Sequence, residues 1–357
     1  MFKTKQWISA AVMAIAPWPA LAQAPSDLGQ RLADGYARPA VAKLAEQATH
    51  LEQALKTWCD SGGQSDVKGV QQAFAGTVQA WAGVEFLRFG PLVQGNRYEK
   101  LAFWPDTRGV MQRQVRALLA AADPAAVAPG ALASRSVAMQ GLPALEYVLY
   151  DTPGLVKSAP GKDTAYACSY AVAVAGNVAA VSGELQQAWS AKGEFGRQFT
   201  APAAGNDLYR TQQEVAAEAI KALSTGLQFA RDVKLLPVLG DSVQAARAQR
   251  AAFWRSESTI PTLAASVKGM RAFYDAGGYR YPKGEEWIGI SLTGELDRAA
   301  EVLDTVNAPL QQLLADETGW QRLALTGLIL KNAKDIVDQN FAPALGVTIG
   351  FNALDGD

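Results

Sequence analysis

Histidine is almost missing from this chain: its 357 residues contain one, His50. A zinc hydrolase of the H-E-x-x-H type needs two histidines on one helix, so that class is excluded. A Ser-His-Asp triad would have to use His50, which sits in an amphipathic helical stretch with no nucleophile motif beside it. Cysteine is scarce as well. Cys59 and Cys168 form neither a C-x-x-C-H haem attachment nor a zinc-type pair. An excess of one charge is also lacking. The 33 basic and 34 acidic residues are interspersed and leave a net charge of −1, which argues against nucleic acid as a partner. No stretch of four to eight residues alternates in β fashion. Beyond the first 22 residues no apolar run approaches the ~18 needed to span a membrane. Any metal site would have to be built mainly from carboxylates, which suit hard cations such as ferric iron or calcium.

What is present is enough for a large core. Hydrophobic residues make up 49% and charged residues 19%, the composition of a folded globular chain. The length suits two domains or one large one. The first residues read as an export signal: Lys3 and Lys5, then the apolar run Trp7 to Ala16, then Ala20-Leu21-Ala22 as a cleavage site. Cleavage is expected after Ala22, and no cysteine follows for lipid attachment. Losing Lys3 and Lys5 leaves 31 basic residues against 34 acidic, a net charge of −3. The expected location is the periplasm. In that oxidising compartment Cys59 and Cys168 read as one disulfide, the alternative being two buried free thiols.

Alanine, the best helix former, is abundant throughout. Apolar residues recur at steps of three, four and seven, as in Leu44, Leu51, Leu55 and Trp58, and again in Val67, Val70, Phe74, Val78 and Trp81. The chain reads as all-α. Helices are expected near 26–58, 65–89, 104–122, 134–150, 163–191, 206–233, 242–255, 258–276, 286–315 and 318–341. Ser65-Asp66, Ser134 and Asn206-Asp207 fit N-caps, and Pro261 fits a first turn. Gly90-Pro91, Gly240 and Gly277-Gly278 fit stops. Pro39, Pro143 and Pro309 fall inside helical patterns and should bend or break them. Long helices with short connections favour antiparallel bundles. The least regular stretch, about 192–206, divides the chain into bundles at 23–195 and 196–357. Aromatic-arginine segments in both (Trp81 to Arg88; Phe253-Trp254-Arg255 to Arg271) hint at duplication.

Three places carry polar groups on apolar faces. Trp81, Glu85 and Arg88 share the face of Phe74 and Val78. Glu85 and Arg88 are either an i,i+3 ion pair or aimed into a cleft. Arg97 and then Phe103-Trp104-Pro105-Asp106 follow, with Asp106 either capping a helix or placed in the cleft. Gly141 to Tyr147 is the most unusual stretch: Gly141 and Pro143 are costly inside a helix, and Pro143 frees the carbonyl of Met139. Glu146 follows among Leu142, Leu145, Val148 and Leu149. A carboxylate there is buried and needs a hydrogen bond, a cation or a raised pKa.

These segments resemble the imelysin family, whose members are filed as M75 peptidases and as imelysin-like iron-regulated proteins. The resemblance covers essentially the whole mature chain. It rests on Trp81 to Pro91 (WAGVEFLRFGP), Phe103 to Asp106 (FWPD), Gly141 to Tyr150 (GLPALEYVLY), Phe253 to Ser256 (FWRS) and Leu345 to Asp357 (LGVTIGFNALDGD). It implies two bundle-like halves with a site in the cleft between them, in an exported protein connected with iron uptake. The family signature is G-x-H-x-x-E. Gly141 and Glu146 match it, and Pro143 stands in the histidine position.

The expected function is therefore a non-enzymatic periplasmic binding or accessory protein for iron acquisition. Its cleft would be lined by Glu85, Arg88, Arg97, Asp106 and Glu146, with walls from Trp81 and Trp104. Arg88 and Arg97 would engage the carboxylates of an iron chelate, and Glu146 is the one candidate metal ligand. The alternatives are an imelysin-type peptidase and an envelope protein that docks on an iron transporter.

Overall fold

The computed structural model describes residues 24–348 apart from 65, 152, 159, 162, 163 and 307. The expected export signal, the cap residue Ser65 and the C-terminal motif beyond Thr348 lie outside the described residues. The fold is all-α, with no β-strand among the described residues. The longer helices are α1 (Arg38–Asp60), α2 (Val67–Val84), α3 (Val110–Ala121), α4 (Gly141–Tyr150), α5 (Ala165–Trp189), α6 (Gln212–Gln228), α7 (Thr259–Gly277), α8 (Trp287–Asp304) and α9 (Glu317–Ile336).

The apolar stripes place these helices. Leu44, Leu51, Leu55 and Trp58 of α1 are buried, as are Val70, Phe74, Val78 and Trp81 of α2. Helix α1 packs along α2 and α5, and α4 lies against α5. In the later part, α7 packs on α8 and α8 on α9. Helix α7 also packs on α2, so buried residues from Leu28 to Val347 form one continuous core. Helix α5 corrects one expectation. By length and composition it is apolar enough to cross a membrane, but it lies in this core with Tyr170, Ala171, Val174, Ala175 and Val178 buried. Cys59 at the end of α1 is bonded to Cys168 in α5, with their Cα atoms 5.9 Å apart.

Proline acts differently from expectation at Pro39. The helix is not broken there. It widens into a π-turn at Ala33–Ala37, and Arg38, the residue before Pro39, donates its amide to the Ala33 carbonyl five residues back. The same device recurs at Phe229–Leu235 before Pro237, with Leu236 donating to Arg231, and at Val337–Phe341 before Pro343, with Ala342 donating to Val337. A proline has no amide hydrogen to give; one extra residue in the preceding turn re-registers the ladder around that gap.

Several expected boundaries move. Helix α2 stops at Val84, short of Gly90-Pro91. Asp66 caps it through the Lys68 amide at 2.8 Å. Helix α3 starts at Val110, and α4 at Gly141 rather than at Ser134. Gly141 has φ +78°, and a Cβ there would lie 2.5 Å from the Lys100 and Leu101 carbonyl oxygens, so only glycine fits. Pro143 then falls in the first turn, where no amide donor is needed. The Met139 carbonyl accepts from the Tyr170 hydroxyl at 2.7 Å. Helix α6 starts at Gln212, capped by Thr211 rather than by Asn206-Asp207. The expected helix 242–255 is not one. It consists of the 3₁₀ turns Val243–Ala245 and Ala248–Arg250, followed by turns in which Phe253 and Glu257 both have φ +57°. Tertiary hydrogen bonds override the periodicity here: the Arg247 amide donates to the Val238 carbonyl at 2.8 Å, and Thr259 Oγ1 to the Ala252 carbonyl at 2.7 Å.

Candidate functional site

Four separated segments converge on one cavity of about 860 Å³. Phe103 to Asp106 form one wall and Pro143 and Glu146 of α4 a second. Asp232, Val233 and Pro237, around the middle π-turn, form a third, and Gln249 to Arg255 a fourth. Each wall owes its shape to a feature already described. The π-turn before Pro237 turns Asp232 and Val233 toward the cavity. The first-turn position of Pro143 puts it one helical turn from Glu146, on the same face. The left-handed backbone at Phe253 lets consecutive residues, Phe253, Trp254 and Arg255, all line the space. A bulky residue at positive φ is costly and persists only where its surroundings hold it.

Glu146 is the buried polar group of this cavity, 3% exposed. Its Oε1 accepts from the Ser256 amide at 2.9 Å and from the Ser256 hydroxyl at 2.8 Å. Burial pushes its carboxyl above the usual range, against the pull of the Ser256 donors and the Arg255 charge. Arg255 does not close on it. Its Nε donates to Asp151 at 2.9 Å, and its guanidinium lies over the Trp254 ring at 4.6 Å and the Tyr147 ring at 5.3 Å. Arg116 in turn donates to the Tyr147 hydroxyl at 2.5 Å. The loop carrying Trp254 is thus tied to α4 through Glu146 and Ser256, and to the residue that follows α4 through Asp151 and Arg255.

The residues expected at the site separate into two groups. Trp104, Asp106 and Glu146 meet in the cavity. Asp106 also caps α3: its two carboxylate oxygens accept from the Val110 and Met111 amides, each at 2.8 Å. Trp81, Glu85, Arg88 and Arg97 do not line this cavity. Trp81 is buried against Tyr98, ring centroids 5.2 Å apart. Glu85 forms an ion pair with Lys234 rather than with Arg88, and both partners are buried. The pairing became possible because Glu85, just past the end of α2, faces the middle π-turn. Arg88 is clamped between Tyr98 and Phe229, 4.0 and 4.4 Å from their ring centres. Arg97 Nε is held by Glu184 at 2.8 Å, and its Nη1 by the Pro91 and Gln94 carbonyls at 3.1 and 3.3 Å.

Sequence reasoning missed Asp232, Gln249 and Arg250 as cavity residues. It noted Trp254 and Arg255 as part of an aromatic-arginine segment, and these two with Ser256 as part of a resemblance, without placing any of them at the site. The FWRS run carried a signal that could have placed these three. Arg250 carried none, because its position depends on turns that were read as a helix. It is exposed at the cavity edge, with one long bond to the Pro237 carbonyl at 3.3 Å.

Iron suggested by the resemblance can be tested against the donors. Among the described residues no group of three or more His, Cys, Asp or Glu is placed to share one ion. At Glu146 one oxygen is taken by Ser256, Pro143 offers no ligand, and both Asp106 oxygens cap α3. This donor set does not fit a bare ion held by the protein, which takes several oxygen or nitrogen ligands. A chelated ion, which brings its own ligands, makes no such demand.

A family model described as Imelysin, of the M75 peptidases, matches residues 37–332. No functionally curated protein matches the sequence. An imelysin-like protein from Psychrobacter arcticum 273-4 has a similar solved structure, with TM-score 0.71 and 18% identity over 92% of this chain and 98% of that one. The Parabacteroides distasonis protein named as an iron-regulated protein A precursor aligns with TM-score 0.70 and 11% identity, over 88% and 95%. At these identities the two structures establish the fold.

Proposed function

This chain belongs to the imelysin family, and from that premise we propose that it is an exported, periplasmic binding component of bacterial iron acquisition. Its ligand is an iron chelate bearing carboxylate, taken into the cavity beside Glu146. The observation that carries this reading is the convergence of the FWPD, GLPALE and FWRS segments on one cavity whose donors do not suit a bare ion. Trp104 and Trp254 supply flat apolar walls, and Arg250 at the edge supplies a guanidinium for a ligand carboxylate. The iron-regulated name of the Parabacteroides distasonis protein supports the connection with iron.

The peptidase name of the family is not carried over. Metal-assisted hydrolysis needs ligands that hold an ion and leave a position open for water, and the cavity residues do not form such a set.

Thermal-shift and calorimetric titration of metal-stripped protein with ferric iron, ferrous iron, copper, haem and ferric citrate test the reading. Chelated iron is expected to stabilise the protein and the free ions to leave it unchanged. Stabilisation by none of the five would overturn the proposal.

A further inference from the structure

We infer that the inner end of the cavity receives an organic ammonium group, seated on the carboxylate of Glu146 beside the tryptophan walls. The inference rests on the reading of this cavity as a ligand site and adds the chemistry of the ligand's buried end. A buried carboxylate is normally paired with a cation. Glu146 is 3% exposed, yet among the described residues no Lys, Arg or His lies within ion-pairing distance of it. The one cation that acts on it electrostatically, Arg255, has its Nε committed to Asp151. Both Ser256 donors fall on Oε1, and the Arg255 amide also favours the ionised carboxylate. The carboxyl therefore lines the cavity with no cation in ion-pairing distance, and burial disfavours its charged form unless one is supplied.

Two further features select the class of cation. The donor set excludes a bare metal ion, which needs more than one protein oxygen. The walls are aromatic, from Phe103, Trp104, Phe253 and Trp254, and tryptophan faces attract desolvated organic cations. A ligand hydroxyl would bond to the carboxyl but leave its charged form uncompensated; an ammonium group does both. At the exposed edge the sign is reversed, because Arg250 has no carboxylate partner among the described residues. The ligand is thus oriented with its amine inward and its carboxylate outward.

Four probes of matched length separate these contributions in calorimetric titration of the mature protein: 6-aminohexanoate, n-hexylamine, hexanoate and 6-hydroxyhexanoate. The two amines are expected to bind at least tenfold more tightly than the two without an amine. Glu146→Gln should cost the amines at least tenfold, and Arg250→Ala should weaken 6-aminohexanoate but not hexylamine. Hexanoate binding as tightly as hexylamine, amine binding unaffected by Glu146→Gln, or no amine binding would each overturn the inference. The wild-type probe series does not depend on any variant folding. Stabilisation by chelated iron with no preference for amines would remove this inference and leave the proposed function standing; loss of both would remove both.

Discussion

Glu146 and Ser256, 110 positions apart, meet through two hydrogen bonds on a single oxygen: the Ser256 amide at 2.9 Å and its hydroxyl at 2.8 Å both reach Oε1. This contact joins the first turns of α4 to the loop that carries Trp254. Ser256→Ala removes one of the two donors from a buried carboxylate. It should cost about 1–3 kcal/mol, read as a lower midpoint in urea unfolding with an unchanged slope. Stability equal to wild type would show that the hydroxyl contributes nothing.

The protonation of Glu146 gives a pH-dependent test. Burial raises its carboxyl above the ordinary value of 4.5, so the folded chain holds this proton more tightly than the unfolded chain does. Its contribution favours folding below about pH 4.5 and is lost as pH rises through the raised folded value. Glu146→Gln has no proton to lose and keeps an acceptor for Ser256. The melting temperature of the variant, relative to wild type, should therefore increase from pH 4 to pH 8. A difference that stays constant across that range would contradict the assignment.

Glu85 and Lys234 form a buried ion pair between the end of α2 and the middle π-turn. Removing one partner strands the other charge in the core. Glu85→Gln or Lys234→Met should each destabilise by about 3–5 kcal/mol, while the double variant Glu85→Leu with Lys234→Met recovers most of that loss. Additive losses in the double variant would show that the two residues do not act as a pair.

The Cys59–Cys168 bond closes a loop with a sequence separation of 109. Restricting the unfolded chain over such a span is worth about 4–5 kcal/mol in the chain-entropy description. Cys59→Ser with Cys168→Ser should lower stability by most of that amount and make the unfolding of wild type in reductant match the variant. Equal stability with and without reductant would contradict it.

Pro143 and Glu146 line the cavity one helical turn apart. Pro143→His places an imidazole in the position the family signature gives to histidine. It should raise the affinity for zinc or ferrous iron at least tenfold over wild type, and adding Glu146→Gln should abolish the gain. A variant that binds no better than wild type would show that the turn does not bring the two side chains onto one ion.

The all-α class was legible because apolar steps of three and four recur in Leu44 to Trp58 and Val67 to Trp81, and burial follows those steps. The family was legible because several short segments, FWPD and FWRS among them, together carry the resemblance, and the family model matches residues 37–332. The π-turns were not legible. A proline in a helical pattern predicts a lost hydrogen bond, but not that Arg38 reaches five residues back to replace it. The partners of charged residues were illegible for a related reason. The spacing of Glu85 and Arg88 suits an ion pair, yet Lys234 lies closer in space across 149 positions of chain. Arg250 escaped because local periodicity suggests a helix where long-range hydrogen bonds impose turns.

The cavity beside Glu146 is proposed to carry a small iron-bearing ligand. Native mass spectrometry of the protein released from the periplasm of iron-starved cells, wild type alongside Trp104→Ala, tests it most directly. An iron-containing adduct of small-molecule mass is expected on the wild type and is lost from the folded variant. The mass of the bare chain in both, or the same adduct on both, would contradict it.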